Sequence, residues 1–106
     1  MTVGQWLDTR KPTPPPALST RVREAIGDSI SRPASEAPDI LLSASEQVVR
    51  ALLKTGSTSR DTAIDLLAAD ALVTYALEAA SEAPESMRER ALDAMRRIAA
   101  VTHAPA

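Results

Sequence analysis

The residues of this chain that could do chemistry are few. There is no cysteine and one histidine in 106 residues, so thiolate nucleophiles, disulfides, zinc-cysteine sites and iron-sulfur clusters are excluded. His103 lies near the end of the sequence, where a solvated tail residue is the ordinary reading. Asp61/Asp65 and Glu78/Glu82 are carboxylate pairs at i, i+4 and share helix faces. A di-iron bundle would need Glu-x-x-His on two helices with glutamates on two more, and a calcium loop would need an Asp-x-Asp-x-Asp-Gly run. Neither pattern is present. Ser35, Ser57, Ser59, Ser81 and Ser86 all stand beside expected helix ends, where capping accounts for them without a catalytic base or oxyanion site. The run from Lys54 to Ser59 lacks the Gly-x-x-x-x-Gly-Lys-Ser/Thr order of a phosphate loop. The expectation is a protein that is not an enzyme, with no cofactor, no metal and no small-molecule substrate.

Nucleic acid is also an unexpected partner. A helix, a turn at Gly56 and a following helix opening at Thr58-Ser-Arg60 can be drawn as a helix-turn-helix, or a histone-like arrangement. However, Asp61, Asp65 and Asp70 come next and would face phosphates. Arg21, Arg23 and Arg32, or Arg88, Arg90, Arg96 and Arg97, would make better contacts, but Glu85, Glu89 and Asp93 balance the second group. The net charge is -2. A small DNA-binding or transcription-regulatory protein therefore stands as the alternative reading.

Positioning of these residues falls to helices. Residues 1–16 stand apart as a proline-rich arm: Pro12-Thr-Pro-Pro-Pro16 forbids helix interior and central strand, and predicts an extended, polyproline-like stretch. It reads as a semi-rigid tether, or, through Pro12-Thr-Pro-Pro15 preceded by Arg10 and Lys11, as a ligand for a proline-binding domain. Residues 17–106 read as a single helical domain. Leu18, Val22, Ala25, Ile26 and Ile30 form a stripe predicting helix one over about 16–31. Helix two is expected from about Glu36 to Lys54, with Ser35 as N-cap, Gly56 as left-handed C-cap, and Leu41, Ala44, Val48, Val49, Leu52 and Leu53 inward. Helix three spans about 58–82, the longest element, and helix four opens at Pro84 with Met87, Ala91, Leu92, Met95, Ile98 and Ala99 as its stripe. Asp93 precedes Arg97 in the favourable acid-then-base order. With no alternating segment and three glycines, the fold class is all-α, a four-helix bundle-like domain with a long central helix.

That central helix carries two apolar faces. Ile64, Leu67, Ala68, Ala71, Leu72, Tyr75 and Ala79 form the first, and Leu66, Ala69, Val73, Ala76, Leu77 and Ala80 the opposite one. A helix apolar nearly all round is either surrounded by its own chain or meets a second copy. The many alanines, one Trp, one Tyr and no Phe predict a thin core, which argues for a homodimer through the first face. Trp6 and Leu7, on the proline arm, complete the expected interface as anchors for another chain; the competing expectation is that Trp6 folds back over the bundle. Charge is uneven: +2 over residues 1–35, -5 over 36–83 and +1 over 84–106. The flanks thus complement an acidic middle.

The N-terminus lacks a basic start and a long apolar run, so it does not read as a secretory signal. The least polar stretch, Ala63 to Ala80, is interrupted by Asp65, Asp70 and Glu78, against a membrane span. The functional expectation is a non-catalytic, cytoplasmic helical protein-protein interaction or adaptor protein, homodimeric through helix three and engaging a further protein. A regulatory subunit of a larger assembly is the second alternative.

Overall fold

The computed structural model describes residues 1–56, 60–82 and 84–102; the side chains of residues 84–87, 90, 101 and 102 lie outside the description. The described residues form five α-helices: α1 (Val3–Asp8), α2 (Pro16–Ile26), α3 (Ala37–Thr55), α4 (Arg60–Ser81) and α5 (Pro84–Thr102). Two 3-10 turns, Gly27–Ser31 and Ala34–Glu36, lead from α2 to α3. The all-α expectation holds, and the helix number is corrected from four to five. Expected helix one is also shortened, because Gly27 sits at φ 61° as the C-cap of α2 and diverts the chain into the 3-10 turn.

The fifth helix falls inside the stretch expected to be an extended arm. Thr2 and Gln5 cap it reciprocally: the Thr2 hydroxyl accepts from the Gln5 amide at 3.2 Å, and the Gln5 side chain accepts from the Thr2 amide at 2.8 Å. Val3, Trp6 and Leu7, spaced i, i+3, i+4, turn to one side and are buried. The Val3 amide donates to the Arg32 carbonyl, and the Ala34 amide to that of Met1, both at 2.9 Å. These bonds seat the N-terminus beside the 3-10 turns. Only residues 9–15 keep the open, proline-directed path.

The centre of the molecule is the α3/α4 hairpin. Gly56 closes α3 in the left-handed conformation (φ 58°, ψ 13°), its amide donating to the Leu52 carbonyl. Glu36, rather than Ser35, occupies the N-cap position of α3, without a side-chain cap bond, and Pro38 lies in its first turn. The expected caps Thr58 and Ser59, together with His103, lie outside the described residues. Ser45, buried, donates its hydroxyl to the Ala69 carbonyl at 2.9 Å. This bond sets the antiparallel register of the hairpin. α1 and α2 cover one side of it, and the shared core contains Val3, Trp6, Val22, Ile26, Leu41, Val48, Ala68 and Leu72. α5 follows α4 and makes its main contact with that helix.

Candidate interaction surface

Trp6 is the best-anchored residue of the N-terminal segment. It is 5 % exposed. Its Nε1 donates to Glu82 at 2.8 Å, its ring meets Tyr75 edge-on at 6.3 Å, and the Arg10 guanidinium lies 4.3 Å above it. Arg10 also pairs with Glu78 at 3.4 Å and Glu82 at 3.1 Å. Stacking on the ring is worth about 0.5–1 kcal/mol, and each half-exposed ion pair adds less than about 1 kcal/mol. Together they clasp α1 onto the last two turns of α4. Burial, reinforced by the Glu78 carboxylate, raises the Tyr75 pKa above the ordinary tyrosine value. Trp6 and Leu7, considered above as anchors on a free arm, are thus packed into the chain's own core.

The residues expected to form the dimer face divide in the same way. Ala68, Leu72 and Ala79 are buried within the chain, and Ile64, Ala71 and Tyr75 are partly buried. Leu67 alone of that set is largely exposed, at 55 %. The first face of α4 is therefore used inside the molecule, because α1, α2 and α3 converge on it.

What the chain leaves open is the other side of the hairpin. Leu42, Val49 and Leu53 on α3 are exposed, and so are Leu66, Val73 and Leu77 on α4. Each row has the spacing i, i+7, i+11, which keeps it on one side of a helix. Both rows are on the same side of the hairpin. Counting outward from the Ser45–Ala69 contact places Val49 level with Leu66 and Leu42 level with Val73. On each helix the row lies about 60° beyond the contact residue, at 100° per residue, on the side away from the core. Val49 and Leu53, expected inward, are thereby corrected to the surface. Ala69 and Ala76, from the same half of α4, are buried between the helices, since alanine allows close approach of the two backbones.

α5 adds a second open apolar surface. All its described side chains from 88 to 100 are exposed, including Leu92, Met95 and Ile98. The predicted Asp93–Arg97 pair forms at 3.0 Å. Among the described residues, Leu92, Met95 and Ile98 of the stripe are thus open to solvent, while the Met87 side chain lies outside the description.

Two clefts among the described residues are small. One cleft of about 140 Å³ lies between the proline segment and α2, lined by Leu7, Asp8, Arg10, Thr13, Ser19 and Tyr75 among others. A second, of about 260 Å³, is bordered by Ile26, Ser29, Asp39 and Ile40 among others. Both are below the roughly 300–1,000 Å³ of ordinary ligand sites. Among the described residues no group of three His, Asp or Glu side chains is placed to hold a metal ion. None of their helices is long and apolar enough to cross a membrane.

Comparison of the chain with protein-family models, curated proteins and solved structures gives no match.

Sequence reasoning missed the clasp residues Arg10, Glu78 and Glu82 and misplaced the open face. The clasp was signalled by the Thr2-Val-Gly-Gln5 capping box and the Val3, Trp6, Leu7 spacing. The open face was half visible, since Leu66, Val73 and Leu77 belong to the second apolar side of the long helix.

Proposed function

We propose that this protein is a non-catalytic helical interaction module that works in the cytoplasm through the open α3/α4 face, with α5 as a second contact element. The observation that carries this reading is the pair of matched rows Leu42, Val49, Leu53 and Leu66, Val73, Leu77. Their exposures of 45, 41, 80, 58, 38 and 66 % amount to about three fully exposed side chains. Covering them would contribute roughly 5–9 kcal/mol at about 1.5–3 kcal/mol per large apolar side chain. This is of the order of the entropy lost on association. Contiguous apolar surface of this kind marks protein-binding sites in soluble proteins, and a shallow groove between two antiparallel helices accepts an amphipathic helix.

The test is site-specific photocrosslinking in cells that make the protein natively. A photoreactive residue in place of Leu77 should form defined protein adducts, while one in place of exposed Glu24, on α2, should not. Equal capture from both positions, or none from either, would refute the reading. A captured second copy and a captured different protein are separable by mass.

A further inference from the structure

We infer that the occupant of the open α3/α4 face is α5 of a second copy of this chain, exchanged reciprocally so that each copy contributes one face and one helix. This rests on the interaction reading above and gives it a partner. Among the described residues, a groove-like pair of rows and an amphipathic helix both leave apolar side chains open, and each is what the other lacks. Most of a helix's stability in a protein comes from packing its apolar face, and the described part of the α5 stripe is open. α5 and α3 have the same 19-residue length, about 28 Å at 1.5 Å per residue, so one can lie along the other without overhang.

Charge favours the same match. α4 carries Arg60 against Asp61, Asp65, Asp70 and Glu78, of which Asp65 and Glu78 are paired with Arg21 and Arg10 of the same chain, whereas α5 carries four arginines against Glu85, Glu89 and Asp93. Asp70 and Glu46, the latter paired with Arg50 at 3.8 Å, border the open rows, while exposed Arg96 borders the Leu92, Met95, Ile98 stripe and exposed Arg88 extends it by one turn. Face-to-face pairing of two α3/α4 surfaces would instead oppose like charges and leave both α5 stripes in water. Within one copy, α5 leaves the end of α4 with its stripe uncovered. A reciprocal arrangement closes with twofold symmetry and leaves no surplus surface to propagate.

Sedimentation equilibrium on the full chain and on two variants tests this. Leu77→Asp spoils the face and Ile98→Asp spoils the helix; both positions are about two-thirds exposed, so each variant should keep the buried Trp6 emission of the fold. Wild type is expected to be a dimer that dissociates on dilution. Each variant alone should dissociate at a concentration at least tenfold higher. An equimolar mixture should regain a heterodimer, because one chain supplies a sound helix and the other a sound face.

Four outcomes would overturn the inference. If Ile98→Asp stays dimeric while Leu77→Asp does not, the two faces meet directly, and the interaction reading survives. Dimers unaffected by either change would remove both the inference and the reading. A wild type that is monomeric throughout, with Ile98→Asp lowering its melting temperature, would show α5 folding back on its own chain. A monomer indifferent to Ile98→Asp would assign the face to a different protein, which the photocrosslinks identify.

Discussion

Leu72 and Leu77 lie five residues apart on α4, and the fold gives the same substitution opposite consequences at the two. Leu72 is fully buried and Leu77 is 66 % exposed. Leu72→Ala removes a branched side chain from the junction of α4 with the core, leaving a void that the surrounding helices fill only in part. Such changes cost about 2–5 kcal/mol. Leu77→Ala in a dilute, monomeric sample gives up only a small part of a transfer free energy, less than about 1 kcal/mol. At about 4–8 °C per kcal/mol for a domain of this size, Leu72→Ala should lower the melting temperature by roughly 10–40 °C, and Leu77→Ala by a few degrees. The assay is urea unfolding followed by the single tryptophan, repeated at rising protein concentration. An unchanged m-value would confirm that stability, and not the compactness of either state, has moved. At high concentration the cost of Leu77→Ala should rise if a second copy covers it, whereas that of Leu72→Ala should not. Equal midpoints for the two dilute variants would refute the assignment of the core to this side of α4.

Other outcomes follow from the same geometry. Trp6 should emit at short wavelength and resist acrylamide in the isolated protein; quenching at the rate of a free indole would contradict its burial. Gly56→Ala should cost about 1 kcal/mol, because no described residue crowds the new methyl and the penalty comes from the positive φ. Tyr75 holds its proton more tightly folded than unfolded. Its contribution is therefore complete below the ordinary tyrosine pKa near 10 and is lost as pH rises through the higher folded value. Tyr75→Phe should flatten that alkaline loss, and phenolate absorbance of the single tyrosine reports the raised pKa directly; a normal midpoint would contradict it. Arg10→Met should destabilise by about 1 kcal/mol, a difference that shrinks with added salt as the wild-type ion pairs are screened; an unchanged midpoint would show that the clasp contributes nothing.

The helical periods of the sequence carried the fold class, the Gly56 cap and the Asp93–Arg97 pair, because each depends on residues within one or two turns. Gly27 was missed as a terminator: the Leu18-to-Ile30 stripe runs through it, and only its positive φ shows the break. The prolines from 12 to 16 dominated the reading of the N-terminus and masked the short cap-and-stripe signal of Thr2 to Leu7. The interface residues were the hardest. Amphipathic pattern tells that a side of a helix avoids water but not which neighbour covers it. Ala68 and Leu72 were therefore given to a second copy although α1, α2 and α3 take that side. Arg10, Glu78 and Glu82 meet only through the return of the N-terminus to the end of α4, a juxtaposition with no local signature.

The bond from Trp6 to Glu82 joins positions 76 apart in the chain. The indole N–H therefore finds its carboxylate only once residue 82 has been made, after the 3-10 turns have already offered α1 its first seat. A ribosome-bound nascent chain halted ahead of α4 would hold its first helix by the 3-10 turns and leave the indole without Tyr75 or Glu82. Contacts of such sequence separation also slow folding relative to a bundle built from neighbours alone. The same stitch makes the single tryptophan a reporter on the C-terminal end of α4, because Tyr75 and Glu82 close over its ring only when that end is in place.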